Sequence, residues 1–410
     1  MATDVRVDFG ARTEKLLTDD GRAKPRCDTS TAPSFEGFFM PNRLCTNEQF
    51  GMKKKTYKVL DLFCGAGGLS RGFIDAGFNV VLGVDFDDAA LKTFACNHNG
   101  ATALKLDLFN LDNVNTISDF FTQKGYTPDV MVGGPPCQGF SLAGPRQIDD
   151  SRNVLYRAMV KTAEVLRPRV VVIENVPGMI QLHGGLVKDK IISDFTNLGY
   201  KMGEPKILYA PEYGVPQIRK RVVFVGLLDS QVEFTYPLPI LKPEEYITCE
   251  QAIGDLPALV DIVGEKIQEY IMEPQSEYQR KMRVGSTHIH NHEGTIHDAK
   301  TKKFIAMVPE GKNYRSLPPE YEGIYKYHEA LTRYHSKKPS PTINTGHRSH
   351  FHYKYNRIPT VRESARLQSF DDNFIFYGNK TQQYRQVGNA VPPLLGKALA
   401  TEIKKWLNNE

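Results

Sequence analysis

Three groups of side chains in this sequence could do chemistry together. The first is Cys137, in the run Gly133-Gly134-Pro135-Pro136-Cys137-Gln138-Gly139-Phe140-Ser141. Val130-Met131-Val132 leads into it as an apolar strand, and the glycines and prolines then stop the strand and fix a loop. A thiol just past a strand end faces the crevice where open α/β sheets bind ligands; a lone cysteine is otherwise most often an inert, buried small hydrophobe. The second is Glu174, directly after Val170-Val171-Val172-Ile173. A carboxyl at the end of a buried strand loses water, and its pKa rises. It falls at the same sheet edge as Cys137, which favours a catalytic group over a turn cap. The third is Gln217, Arg219 and Arg221, in Tyr213-Gly214-Val215-Pro216-Gln217-Ile218-Arg219-Lys220-Arg221 before a strand from Val222 to Gly226. Donors at a strand mouth fit an active site, and they equally fit a solvated basic turn.

These groups need a sheet to hold them. Tyr57 to Phe63 reads as a strand, Asp61-Leu62-Phe63-Cys64-Gly65-Ala66-Gly67-Gly68 carries the turn after it, and a helix with Leu69, Phe73 and Ile74 on one face ends at Gly77. A second strand, Asn79 to Val84, ends in Asp85. Strand, glycine-rich turn, helix, strand and terminal acid make a nucleotide-binding βαβ unit, in which the acid accepts from ribose hydroxyls. Asp61 at the mouth of the turn would repel a pyrophosphate, and suits a cofactor bearing an ammonium and a sulfonium. That favours S-adenosylmethionine over a nicotinamide dinucleotide. Read from the residues alone, Phe86, which follows Asp85, is core packing, and Asp107, in Leu104-Lys105-Leu106-Asp107, is a helix cap. Residues 155, 158, 159, 162, 165 and 166 share one helix face, which Pro168 ends, and Ile191, Ile192, Phe195 and Leu198 mark another helix. Late in the chain, Thr360-Val361-Arg362-Glu363 reads as a capping box opening a helix through Ala365 and Leu367. Leu394, Leu395, Ala398, Leu399, Ile403, Trp406 and Leu407 form the apolar face of a final helix.

Gly-Pro-Pro-Cys-Gln-Gly-Phe-Ser around Cys137 resembles the nucleophile motif of the DNA cytosine-5 methyltransferases, and the resemblance runs from about Lys58 to about Leu407. It is joined by Glu174-Asn175-Val176, by Gln217-x-Arg219-x-Arg221, by Ser340-Pro341-Thr342, and by Gln386-Val387-Gly388-Asn389-Ala390-Val391-Pro392-Pro393. The resemblance implies a Rossmann-like, class I S-adenosylmethionine-dependent α/β sheet with helices on both faces, plus a smaller target-recognition domain. It implies Cys137 as nucleophile, with Glu174, Arg221, Arg219 and Gln217 in the catalytic set. The cofactor set it implies is Asp61, Phe63, Gly65, Gly67, Gly68, Asp85, Phe86, Asp107, Leu108, Pro135, Asn389 and Ala390, with Asn389 closing the pocket from a segment folded back beside the first turn. Gln138, Ser141, Arg146 and Arg152 are the implied DNA contacts in the loop after Cys137, although either arginine could be merely solvated. The related transfer-RNA enzymes share Pro-Pro-Cys-Gln but carry a Cys-Phe-Thr signature that this sequence lacks.

At 410 residues the chain holds one large domain and one smaller one, and its net charge of +5 permits nucleic-acid binding without arguing for it. Six scattered cysteines without close pairs point to neither a disulfide framework nor zinc, and His288, His290, His292 and His297 read as a polar loop rather than a metal site. No apolar run reaches membrane-spanning length, so a cytoplasmic, nucleoid-associated and monomeric enzyme is expected, with no membrane partner. Expected boundaries are 1–52, a mobile extension; 53–229, the first part of the catalytic domain; 230–335, target recognition; and 336–410, the return to the catalytic domain. Met52, before Lys53-Lys54-Lys55, is a plausible alternative start. The expected substrate is double-stranded DNA with its target base swung out of the helix, and a restriction endonuclease acting on the same site is an expected partner.

Overall fold

Alternating β-branched and aliphatic residues build the central strands. The computed structural model describes residues 55–136, 154–321, 331–346 and 349–410, and Thr56–Glu410 forms one compact unit. Lys58–Leu62 (β1), Gly68–Asp75 (α1), Asn79–Asp85 (β2), Asp88–Asn97 (α2), Thr102–Lys105 (β3), Asn113–Lys124 (α3), Val130–Gly133 (β4), Val154–Leu166 (α4) and Val170–Asn175 (β5) follow one another as βαβ repeats. Leu186–Asn197 (α5) then leads into Tyr200–Met202 (β6), Lys206–Tyr209 (β7) and Lys220–Leu228 (β8). The sheet runs β3-β2-β1-β4-β5-β8-β6, with β7 also on β8. The first five strands are parallel, and β8 is antiparallel to β5, β6 and β7. Strand order reverses between β1 and β4, so the ligand crevice of such a sheet opens at the carboxyl ends of these strands.

Side chains alternate across the sheet and fill two cores. Val59, Val80, Val132, Val172 and Val225 pack with Phe73 of α1 and with Leu395, Leu399, Ile403 and Leu407 of Pro393–Asn409 (the final helix). Leu60, Leu82, Met131, Val171, Ile173 and Phe224 pack on α3, α4 and α5. Helices on both faces and a mixed, mostly parallel sheet are the architecture expected from the sequence. The final helix presents the expected face, and the Tyr57 hydroxyl donates to the Leu407 carbonyl across the chain's length. On α4, by contrast, Val165 faces solvent and Ala163 takes its place in the core. Position 165 sits at the flank of the stripe, and a thirteen-residue helix packed against a twisted sheet buries only the other flank.

A third core joins residues on both sides of position 335. After Cys249–Ile253 (α6), Ile267–Gln268 (β9), Glu277–Arg283 (α7), Ile289–His290 (β10), Ala299–Met307 (α8), Thr332–Arg333 (β11) and His350–Phe351 (β12) come Val361–Leu367 (α9) and Lys380–Asn389 (α10), which makes the final helix α11. Ile253, Tyr278, Met282 and Tyr334 pack there against Leu367, Phe370, Phe374 and Val387. Thr360 caps α9 with the reciprocal Glu363 contact that its sequence signature announces. Arg366, fully buried, lies between Asp255 and Asp372, so a charge that would be costly alone is paired on both sides. No helix among the described residues is long and apolar enough to cross a membrane.

Candidate active site

The turn between β1 and α1 is the first wall of the crevice. Phe63, Gly65 and Gly67 all take positive φ, at 59°, 53° and 90°. Phe63 pays steric strain for this, because a side-chain-bearing residue rarely occupies that region. A Cβ on Gly65 would meet only open space, so that face of the turn has room for a ligand. A Cβ on Gly68 would fall 2.3 Å from the Val391 carbonyl oxygen and 3.1 Å from the Ala390 Cβ. The late Gln386–Pro393 segment therefore lies directly beside the glycine-rich turn, as the sequence motif implies, with Asn389 exposed at the end of α10.

Asp85 ends β2 and holds this turn. One carboxylate oxygen accepts from the Gly65 amide at 2.8 Å, and the other accepts from Phe86 and Asp87 amides at 2.8 and 3.0 Å. Burial raises its pKa, against those three amides. Phe86 is 68% exposed, which excludes core packing and leaves its ring face free for stacking. Asp107 is exposed and accepts from the Phe109 amide at 3.0 Å, while Asp112 holds the N-cap position of α3. Leu108 beside it is buried.

Asp61 corrects the sequence-based expectation. It lies inside the sheet between Gly83 and Val132, 2% exposed, rather than at an open mouth. Its carboxylate accepts from the Ser70 hydroxyl at 2.6 Å, and burial pushes its pKa up to about 7, with Asp85 adding to the rise. A group near half-ionised at neutral pH repels phosphate less than the sequence argument assumed. Cys64, buried beside it, is held protonated by the same surroundings.

The second wall comes from β4, β5 and β8. Glu174, 8% exposed, sits opposite Val223 near the end of β5, with Arg221 at the start of β8. The Arg221 Nε lies 2.8 Å from Glu174 Oε1 but off the line a hydrogen bond needs, so Oε1 has ion-pair contact and no aligned donor. Burial raises the Glu174 pKa, with Arg221 and then Arg219 pulling it back. A Cβ on Gly134 would come within 3.0 Å of Glu174 Oε2, so the strand leading to Cys137 grazes this carboxyl. Asn175 donates to the Pro135 carbonyl at 2.8 Å and accepts from Val176, tying the buried Pro135 to the end of β5. Sequence reasoning passed over Asn175 and Gly134, although adjacency to Glu174 and Pro135 was a usable signal. Cys137, Gln138, Ser141, Arg146 and Arg152 lie outside the described residues.

Gln217 and Arg219 do not face the crevice. Arg219, 1% exposed, donates to the Ile343 carbonyl at 3.1 Å and to those of Gly388 and Ala390 at 2.8 and 3.1 Å. Gln217 is equally buried; it accepts from the Ile343 amide at 3.0 Å and meets Gln368 and the Leu367 carbonyl with its amide nitrogen. Gln368 in turn donates to Ala390 at 2.7 Å. These side chains brace the cofactor-side turn from behind, which makes them positioning groups rather than groups that touch a substrate. Ser340-Pro341-Thr342 joins them: Ile218 donates to the Ser340 carbonyl at 2.7 Å, and the Thr342 hydroxyl donates to the Ile218 carbonyl. Burial and Arg221 lower the Arg219 pKa to about 9, and its Nε has no partner.

The histidines of the 288–297 segment go to separate places. His292 is buried between the Thr360 hydroxyl at 2.9 Å and the Pro257 carbonyl at 2.8 Å, while His288 meets Thr287 and His297 accepts from the Ile358 amide.

An open α/β sheet with a carboxylate ending β2, an exposed aromatic beside it and a buried carboxyl–guanidinium pair along the same edge fits the class of nucleotide-binding α/β proteins. The family model of C-5 cytosine-specific DNA methylases matches residues 57–405. The chain is 36% identical to the type II methyltransferase M.DdeI of Desulfomicrobium norvegicum, covering 86% of this chain and 89% of that one. It is 37% identical to M1.HphI of Haemophilus parahaemolyticus, covering 86% and 87%. The crystal structure of a candidate DNA modification methyltransferase encoded within an E. coli prophage superposes with a TM-score of 0.72 at 28% identity, covering 86% of this chain and all of that one. The chain belongs to the C-5 cytosine-specific DNA methylase family and is a DNA cytosine-5 methyltransferase. Family and fold together imply S-adenosylmethionine as methyl donor.

Proposed function

We propose that the protein methylates carbon 5 of cytosine within a short sequence of double-stranded DNA through a transient bond from Cys137 to carbon 6. The observation that carries this reading is the Glu174–Arg221 pair beside Gly134 and Pro135, at the edge where the strand toward Cys137 ends. Gly65, Asp85 and Phe86 fit a nucleoside-bearing methyl donor: open space over the turn, a ribose acceptor and a free aromatic face. Ala390 and Asn389 stand on the far side of that turn, and Phe63, Gly67 and Gly68 shape it. Asp107 and Leu108 complete the adenine side by family resemblance. S-adenosylmethionine supplies the methyl group as the electrophilic carbon of a sulfonium.

The chain's own groups do the rest. The Cys137 thiolate donates its electron pair to carbon 6, because only the ionised sulfur is a nucleophile. Glu174, whose pKa burial raises, would in its protonated form donate a hydrogen bond to ring nitrogen 3 and stabilise the negative charge that builds up there. Arg221 swings from Glu174 to the cytosine carbonyl oxygen. Carbon 5, now enamine-like, takes the methyl group; its proton then leaves to water or hydroxide, the sulfur–carbon 6 bond breaks, and the thiolate returns. A stacked base cannot present carbon 6 to a thiol, so the cytosine is flipped into the crevice. Residues 230–335 read base edges in the major groove, and Gln138, Ser141, Arg146 and Arg152 contact the DNA around the flipped base. The relatives are named type II methyltransferases, which supports a modification role beside a restriction endonuclease of the same site. Bisulfite sequencing of DNA from cells expressing the chain would reveal one methylated motif.

Cys137→Ala removes the nucleophile and leaves the cofactor turn alone. The expected result is no methyl transfer to duplex DNA, with S-adenosylhomocysteine binding retained. Duplex DNA carrying 5-fluorocytosine traps the intact protein when methyl donor is present, because fluorine cannot leave as the proton does. Turnover in the alanine variant, or no adduct with the fluorinated DNA, refutes the covalent scheme.

A further inference from the structure

We propose that His98 is a positioning residue for the methyl-donor site, holding the glycine-rich turn through the carbonyl of Gly67. The proposal rests on the reading of that turn as the S-adenosylmethionine site. His98 is the C-cap of α2, 1% exposed, and belongs to none of the sequence motifs. Its Nε2 lies 3.0 Å from the Gly67 carbonyl oxygen, and its Nδ1 lies 2.8 Å from the Phe94 carbonyl oxygen. The ring is stacked on Phe94 with centroids 4.3 Å apart and meets Phe374 edge-on at 5.8 Å. It therefore has little freedom to rotate away from Gly67.

The glycine answers the histidine. A Cβ at Gly67 would fall 2.2 Å from His98 Cε1 and 2.8 Å from Phe94 Cδ2, and the residue also sits at φ 90°. Only glycine satisfies both demands. The turn it belongs to is strained at Phe63, a side-chain-bearing residue held at φ 59°. Such a conformation persists only where its surroundings over-determine it. Gly67 donates to Cys64 within the turn at 2.8 Å, and its carbonyl accepts from Arg71 in the first turn of α1 at 2.8 Å. His98 adds an anchor from a different element, thirty-one positions away. Gly65, whose amide meets Asp85 and whose other face is open, is two residues from that anchor. A shift of the Gly67 carbonyl moves the wall against which the donor would lie.

Burial, and the nearby Arg71 charge, disfavour the imidazolium. A neutral ring donates from one nitrogen only, while both nitrogens face carbonyl oxygens; in this proposal that proton is on Nε2, toward Gly67. The two contacts can be separated by substitution. Gln places its amide nitrogen where Nε2 lies and can still reach Gly67; Asn places its own where Nδ1 lies and reaches only Phe94.

The test is calorimetric binding of S-adenosylhomocysteine to the wild-type chain, His98→Asn and His98→Gln, with melting curves of each in the absence of ligand. His98→Asn is expected to weaken binding about fivefold or more, as loss of one buried hydrogen bond implies, and His98→Gln to stay within about twofold of wild type. The KM for methyl donor should rise with the dissociation constant in His98→Asn, far more than kcat falls. Equal binding by both variants, whether tight or equally weakened, overturns the proposal and leaves His98 a core residue. The melting curves separate lost binding from unfolding: His98→Asn folded without ligand but binding weakly, beside a tight-binding His98→Gln, supports the proposal. Failure of the wild-type chain itself to bind S-adenosylhomocysteine would instead overturn the cofactor reading beneath it.

Discussion

Asp61 and Glu174 are both carboxyls buried near the carboxyl edge of one sheet, yet their neighbours set them apart. Asp61 has a hydroxyl partner and a second carboxylate nearby, and its pKa is pushed up to about 7. Glu174 has two guanidiniums opposing the same burial effect. The Asp61 carboxyl ionises near the ordinary 3.8 in the unfolded chain, so between about pH 4 and pH 7 the folded form keeps a proton that the unfolded form has released. Its destabilising contribution is absent below that window and complete above it. Asp61→Asn keeps an acceptor for Ser70 and cannot ionise. Urea unfolding should find the variant more stable than wild type at pH 8, on the order of 2 kcal/mol, and equal to it near pH 4. The same variant should bind S-adenosylhomocysteine more weakly at pH 8, because an ionised Asp61 attracts the cationic end of the ligand. In wild type that affinity should fall as pH drops through about 7. A stability difference independent of pH would remove Asp61 from this account.

Arg219 shows what an element gains from a buried cation. Its guanidinium crosses from the start of β8 to Ile343, Gly388 and Ala390, joining three stretches distant in sequence. A Cβ at Gly388 would lie 2.4 Å from the Asn344 carbonyl oxygen, so these backbones are already in contact. Lysine at 219 offers one ammonium where a planar fork reaches three carbonyls. Arg219→Lys should cost about 2–3 kcal/mol in chemical unfolding and raise the KM for methyl donor more than that for DNA, since Ala390 leans on Gly68. An equal rise in both constants would show that the brace serves the whole crevice instead. The strands, the Thr360 capping box and the face of α11 were legible because each is a local pattern. The burial of Arg219 and Gln217, the depth of Asp61, and the His98–Gly67 contact were not, because each depends on which distant backbone arrives. The shared edge of β8, which β6 and β7 cover in succession, was hidden for the same reason.

Among the described residues, all three cores draw their members from position 57 onward, and the family match begins at the same residue. Tyr57 opens the first core from the edge of β1 and closes it against α11 through the Leu407 carbonyl. Ala66 carries the cofactor-side turn into the third core, and Leu394 packs against both the first and the third. Cores that share members in this way unfold together, so Thr56–Glu410 should melt in one cooperative step. A chain begun at Met52 keeps every described member of these cores. It should melt within about 1 °C of the full-length protein, a shift under about 1 kcal/mol for a chain this long, and methylate duplex DNA at an unchanged rate. Calorimetry and a tritiated-methyl assay on the two chains check this. A lower melting temperature would mean that residues before Met52 stabilise the compact unit. An unchanged melt with slower methylation would instead assign them a part in holding DNA.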